Sequence, residues 1–201
     1  MKKIILLLLY VFLLKYMFKK LYHFIKRLIT SPADTWKAIE ASGCKNNIHR
    51  EYIFPLVLAG TIAATFGSLF TQKLSLQNII STLIFSFLSY CGGFYISVCL
   101  IKTYIKERFG NETDWNTLTH FTAYASTVVF VVNILIGIIP LPDMFFLRAF
   151  DLYTLFIVAQ GSFLLKIKEK EQVEFVLSTS AFIVFCPIII KYVIKFLMPG
   201  L

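Results

Sequence analysis

Hydrophobic residues along this chain come in long runs that are separated by short polar segments. Five runs are long enough to cross the roughly 30 Å of hydrocarbon in a bilayer, which takes about 20 residues of α-helix. The predicted spans are residues 52–70, 78–101, 118–139, 144–165 and 173–198. Pro187 lies inside the last of these and predicts a kink. The pattern therefore predicts an all-α integral membrane protein with a five-transmembrane-helix bundle at residues 52–201.

The segment before the first span, residues 17–51, has a different pattern. Between residues 17 and 29, apolar residues recur every three or four positions, and the other face carries Lys19, Lys20, Lys26 and Arg27. Such a basic amphipathic helix suits the surface of an anionic membrane. The alternative is a helix that packs on the cytoplasmic end of the bundle.

A second short helix is predicted directly after it. Ser31 is a favourable N-cap, Pro32 suits the first helical position, and Gly43 suits the C-terminal end. Trp36 lies in this helix and is expected at the headgroup level, with its indole N–H in water. We therefore expect Trp36 and the four basic residues of the preceding helix to anchor the region to anionic lipid.

The first 16 residues form an apolar extension that is too short to span. Residues 4–14 are apolar and Lys15 interrupts them, without a small-residue cleavage site behind them. Three interpretations remain open: an uncleaved interfacial segment, a marginal sixth span, or translated upstream sequence with the start of the protein at Met17.

The positions of lysine and arginine predict the orientation. Ten of the 20 basic residues precede the first span, and the loops around residues 102–116 and 166–172 hold three each. The alternate loops hold only Lys73. Because basic residues are retained in the cytoplasm, the N-terminus is expected inside and the C-terminus outside, in a multi-pass protein of the inner (cytoplasmic) membrane.

Composition agrees with this class, since 58% of the residues are hydrophobic and 15% are charged. The net charge of +9 could suggest nucleic acid, but its concentration beside membrane spans favours anionic lipid. The four cysteines and three histidines lack metal-ligand spacing, and no catalytic motif is found. We expect no enzyme activity, no cofactor, no metal and no nucleic-acid partner.

Four of the polar residues inside predicted spans are candidates for a functional or packing role, namely Asn133, Arg148, Asp151 and Gln160. Arg148 and Asp151 are three apart, which predicts an internal ion pair on one helix face; a proton or ion site is the alternative. Asn133 and Gln160 are expected to form hydrogen bonds between helices. Small residues at four-residue spacing predict close helix packing, with a homodimer interface as the alternative, at Ala59, Ala63 and Gly67, and at Ser89, Gly93 and Ser97.

The order of these features resembles the Yip family, membrane proteins that are named for interaction with Ypt/Rab GTPases, and specifically its bacterial branch. The resemblance lies in the basic helix, the motif SPADTW followed by KAIEA, five spans, and HFTAYAST at the start of the third span. It implies a non-enzymatic adaptor or membrane shaper. Bacteria lack Rab proteins, so the resemblance does not supply that partner.

The sequence thus favours a non-enzymatic membrane organiser or adaptor. Its expected partners are the anionic bilayer and a membrane protein or a second copy of the chain. The alternative is a small transporter or channel subunit that uses Arg148 and Asp151.

Overall fold

The computed structural model describes residues 19–44, 47–71, 75–139 and 144–197, and every regular element among them is helical. The apolar extension at residues 1–16 lies outside the described residues. Two short helices come first, α1 at residues 19–30 and α2 at Pro32–Ser42. A π-helical turn at His49–Ile53 then leads into the bundle.

The boundaries of α2 agree with the sequence. Pro32 occupies the first turn, and the helix ends at Gly43, whose φ of 63° is the left-handed conformation that glycine adopts without cost. The side chain of Ser31 does not cap the helix, however. The backbone N–H of Ser31 donates to the carbonyl of Arg27 and so extends the hydrogen-bond pattern of α1. The backbone carbonyl of Ser31 accepts a hydrogen bond from the hydroxyl of Thr35.

Three helices are long and apolar enough to cross a membrane: His49–Thr71, which includes α3 (Phe54–Thr71); α4 (Leu76–Phe109); and Glu169–Leu197, which includes α8 (Gln172–Leu197). The third predicted span is divided into α5 (Trp115–Ala125) and α6 (Thr127–Ile138), with a bend of 41° between them. The described residues therefore contain three membrane-spanning helices, or four if the bent pair is one span.

The fourth predicted span is not one continuous α-helix. It consists of a 3-10 helix at Met144–Leu152, a nine-residue helix α7 at Tyr153–Gly161, and another 3-10 turn at Ser162–Leu165. Nine α-helical residues rise only about 14 Å, which is half of a hydrocarbon core. Helix length therefore does not confirm the count of five spans.

Close approach of backbones holds the long helices together, as the small-residue pattern predicts. A Cβ atom added at Gly93 of α4 would lie 2.5 Å from Cα of Pro187 in α8. On the other side of the bundle, the backbone of Gly67 in α3 faces Gly137 in α6, and Gly137 faces the backbone of Ala63. These crossings leave no room for larger residues.

Candidate functional site

The Trp36 side chain is the centre of the helix packing at the end of the bundle that carries α1 and α2, called here the α1–α2 end. Its ring is 0% exposed and stacks on Phe121 of α5, with ring centroids 5.4 Å apart. The indole N–H donates to the carbonyl of Ile157 in α7 at 3.0 Å. Gly161, one turn further along α7, leaves the space into which the ring fits.

This placement corrects the expectation for Trp36. The prediction that its indole N–H stays in water at the headgroup level is wrong, because the protein itself supplies the partner and buries the ring. Tryptophan N–H groups find such partners when they are buried. The SPADTW segment therefore attaches α2 to α5 and α7 of the bundle.

The second tryptophan, Trp115, has the exposure that was expected of Trp36. It is 39% exposed at the first position of α5, and Nζ of Lys102 lies 5.2 Å from its ring centroid. A cation over the face of an indole ring is a favourable contact.

Helix α1 packs on the bundle through its apolar face. Leu21 and Leu28 are buried, and the ring of Phe24 contacts those of Tyr52 and Tyr124. The hydroxyl of Tyr153 donates to the carbonyl of Ile29 at 2.8 Å. These contacts favour the alternative in which the helix lies on the end of the bundle and does not bury this face in lipid.

The basic residues of α1 are nevertheless exposed. Lys19, Lys20, Lys26 and Arg27 all point away from the core, and Lys20 lies 3.8 Å from Glu51 in an exposed ion pair. Exposed pairs of this kind contribute little to stability. The structure thus presents a positively charged surface on a helix that is fixed to the bundle.

The bend between α5 and α6 is connected to α1 through Tyr52, whose ring contacts Phe24 of α1 and whose hydroxyl contacts Thr127. The Thr127 hydroxyl donates to the carbonyl of Tyr124 at 2.6 Å, so the Tyr52 hydroxyl donates to Thr127, also at 2.6 Å. Ser126 donates to the carbonyl of Thr122. Side-chain hydroxyls therefore satisfy backbone carbonyls at the break, as bends in membrane helices require.

Three of the four candidate polar residues in the predicted spans, Asn133, Arg148 and Asp151, form a second cluster at the opposite end of the bundle, called here the Arg148 end. Arg148 donates to Oδ2 of Asp151 at 3.4 Å and to Oδ1 of Asn133 at 3.0 Å. Asp151 is only 4% exposed, and its Oδ1 atom has no partner among the described residues. The predicted internal ion pair is present, and Asn133 connects it to α6.

Gln160 behaves differently from Asn133. It is half-buried in α7, and its side chain forms no hydrogen bond with another described residue. The nearby amide that does connect two elements is Gln172, which donates to the Ser162 hydroxyl at 2.9 Å and to the Ala159 carbonyl at 3.3 Å. The sequence reasoning missed this residue because it lies at the border of a predicted loop.

A cavity lies beside the Arg148 cluster and is too small for a transport path. Its volume is about 10 Å³, which is room for at most one water molecule. It is lined by residues of α4, α6 and α8, including Tyr90, Asn133 and Pro187, and by Ser126 at the bend between α5 and α6. Among the described residues, no group of three or more His, Cys, Asp or Glu side chains could hold a metal ion.

Comparison with known families assigns the chain. The family model described as the Yip1 domain matches residues 26–195. The chain belongs to the Yip1 domain family. The match extends from α1 to the last turns of α8, so both ends of the Yip1 domain described above lie within it. No curated protein and no solved structure matches the chain.

Several residues that shape the Yip1 domain were not identified from the sequence. Gly161 provides the space for Trp36, and Asn116 donates its side-chain N–H to the carbonyl of Cys44 at 2.9 Å. Asn111 likewise donates to the carbonyl of Leu165 at 2.7 Å. Polar residues of the loop before the bent span were the available signal, since asparagine amides commonly satisfy the free carbonyls at helix ends.

Proposed function

We propose that this Yip1-domain protein is a non-enzymatic membrane organiser or adaptor whose α1–α2 end faces the cytoplasm. The family match over residues 26–195 carries the proposal, because Yip1 family proteins are non-enzymatic membrane proteins. The exposed basic surface of α1 supplies the contact. Its four cations would meet the phosphates of anionic lipid or the acidic face of a partner protein, with about 1 kcal/mol for each cation near an anionic membrane surface.

Because α1 is packed on the bundle, binding of lipid or a partner to its basic surface would be transmitted to the neighbouring helices. Phe24 packs on Tyr52 and Tyr124, and Tyr124 in turn contacts the ring of Trp36. A partner that displaces α1 would therefore also act on α2, on α5 and on the π-helical turn that precedes α3. In the proposed topology, five segments cross the inner membrane, and the segment at residues 144–165 crosses as a broken helix.

Two observations do not favour a transporter or channel subunit. Arg148 is already paired with Asp151 and hydrogen-bonded to Asn133, and the adjacent cavity holds at most one water molecule. A carrier site would need an ionisable group that exchanges its partner along a path through the bundle.

Photo-crosslinking in native membranes tests the adaptor role. A photoreactive amino acid is placed at Lys26 on α1, and a control is placed at Lys168, an exposed lysine of the loop before α8. A discrete protein product at Lys26 that is absent at Lys168 supports an adaptor, and crosslinks to lipid alone support a membrane organiser. Identical products at both positions, or none at Lys26, would overturn the proposed role of α1.

A flux assay separates the alternative. Proteoliposomes with the wild-type chain and with Asp151→Asn are compared for proton and ion permeability. We expect no flux above that of empty vesicles in either sample. Flux that requires Asp151 would reject the organiser proposal in favour of a transporter.

A further inference from the structure

Two lysines near the end of α8 have no acidic partner among the residues that the structure describes. Lys191 and Lys195 are four residues apart, so they lie on the same helix face and repel each other. Within the described part of the chain, neither forms an ion pair. In the proposed orientation they also depart from the rule that basic residues remain in the cytoplasm, although the repulsion between them is the same in either orientation.

Arg148 adds a third positive charge at the same place. It donates to Asn133, which lines the cavity that Pro187 of α8 also lines. Lys191 follows Pro187 by four residues, which is one helical turn, so it lies on the same face of α8 as this cavity. Asp151 pairs with one of these three cations, and an anion from outside the described residues would neutralise the positive charge that remains.

The depth of Lys191 in the membrane indicates where that anion would come from. At the other end of α8, Glu174 accepts hydrogen bonds from Arg108 in an exposed ion pair. Lys191 follows Glu174 by 17 residues, which is about 26 Å of helix and close to the thickness of the hydrocarbon core. Lys191 therefore lies at the level of the lipid phosphates when Glu174 lies at the opposite headgroup layer.

We propose that Arg148 and Lys191 form a phosphate-binding site, which is occupied by the headgroup of a phospholipid and supported by Lys195. A guanidinium has five N–H donors, so Arg148 can bind a phosphate oxygen while it keeps Asn133 and Asp151. Lys191 adds a point charge from a flexible stem. The neighbouring Tyr192 and Phe196 are 69% and 83% exposed, which offers apolar surface to the acyl chains.

This inference requires only that the chain is a membrane protein, and it is independent of the adaptor proposal. The site lies at the opposite end of the bundle from α1. The two proposals therefore fail separately: loss of lipid binding here leaves the crosslinks of Lys26 unchanged.

Native mass spectrometry of the full chain in detergent tests the site. Wild type, Lys191→Gln and the matched control Lys166→Gln, an exposed lysine near the α1–α2 end, are titrated with phosphatidylglycerol and with diacylglycerol of the same chains. We expect phosphatidylglycerol to bind wild type and Lys166→Gln equally. Binding to Lys191→Gln should be about tenfold weaker, the equivalent of about 1.4 kcal/mol, and diacylglycerol should not distinguish the three proteins.

Equal binding of phosphatidylglycerol to wild type and Lys191→Gln would overturn the site. Titration with inorganic phosphate separates the two sources of the anion. If inorganic phosphate displaces the lipid at low concentration and its own binding requires Lys191, the site belongs to a soluble anion and the lipid assignment is wrong. Thermal unfolding of each variant verifies that the exposed substitution leaves the fold intact.

Discussion

The indole of Trp36 lies against Gly161 so closely that a Cβ atom on Gly161 would come within 2.5 Å of Cε2 of the ring. This contact fixes α2 to α7, and it does so together with the hydrogen bond to Ile157 and the stacking on Phe121. The family motif at the start of the domain is therefore coupled to a segment more than 120 residues away.

Substitution of Gly161 by alanine should displace the Trp36 ring. Because the indole is enclosed, the extra methyl group overpacks the site and should cost about 1–3 kcal/mol of unfolding free energy. The measurement is thermal unfolding in a Trp115→Phe background, in which Trp36 is the only tryptophan and its fluorescence reports its burial. The matched control is Trp36→Phe, on which the further cost of Gly161→Ala should be much smaller. An equal cost of Gly161→Ala in the presence of Trp36 and in the Trp36→Phe variant would contradict the contact between the two residues.

The adjacent glycines of α4, Gly92 and Gly93, should respond differently to substitution by alanine. A Cβ atom on Gly93 would meet Cα of Pro187 at 2.5 Å, whereas a Cβ atom on Gly92 would meet Cγ2 of Ile190 at an ordinary 3.5 Å. Gly93→Ala should therefore destabilise the protein by about 1–3 kcal/mol. Gly92→Ala should be neutral or stabilising by up to about 1 kcal/mol, because alanine is the better helix former. Thermal unfolding in detergent measures both, and an equal loss in both variants would reject the close crossing of α4 and α8.

The topology can be tested by labelling a cysteine introduced at Lys168. In a background without the four native cysteines, Lys168→Cys should resist a membrane-impermeant thiol reagent in intact cells, and Lys195→Cys should react. This result follows if the broken segment at residues 144–165 crosses the membrane and gives five spans. If that segment does not cross, or if the whole chain is inverted, the two positions exchange sides, so a reactive Lys168→Cys with a protected Lys195→Cys would contradict the proposed topology.

The sequence predicted the parts of the fold that depend on hydrophobic length and small-residue spacing. The helices around Leu76–Phe109 and Gln172–Leu197, the end of α2 at Gly43, and the close crossing at Gly93 all follow from local pattern. The ion pair of Arg148 and Asp151 follows from their three-residue spacing.

What the sequence could not provide was the distinction between lipid and protein as the apolar environment. Trp36 and Phe24 suit either a membrane surface or a helix interface. Only their tertiary contacts, with Phe121 and Gly161 for Trp36 and with Tyr124 for both, decide for the interface. The same applies to residues 144–165, whose composition suits a span but whose backbone alternates between 3-10 and α-helix. Hydropathy does not encode that alternation.

The thiol of Cys44 should react slowly with alkylating agents. Burial raises the pKa of Cys44, and the negative charge of Asp114 raises it further, so less thiolate is present at neutral pH than in an ordinary cysteine. In a variant that keeps Cys44 as its only cysteine, alkylation should be faster in the unfolded protein than in the folded one. Asp114→Asn should increase the folded-state rate by less than unfolding does, because burial is the larger cause of the raised pKa. Asparagine keeps the N-cap of α5, and Glu112→Gln serves as the charge-matched control with an unchanged rate.

The same shift predicts how stability depends on alkaline pH. The folded protein holds the thiol proton more tightly than the unfolded chain, whose cysteine loses its proton near about pH 8.5. The contribution of Cys44 to stability is therefore complete below that pH and decreases as the pH rises above it. Unfolding free energies of the chain and of Cys44→Ala, measured between neutral and alkaline pH, should converge as the pH rises. A gap that widens with pH would show that Cys44 is stabilised as the thiolate, contrary to its burial beside Asp114.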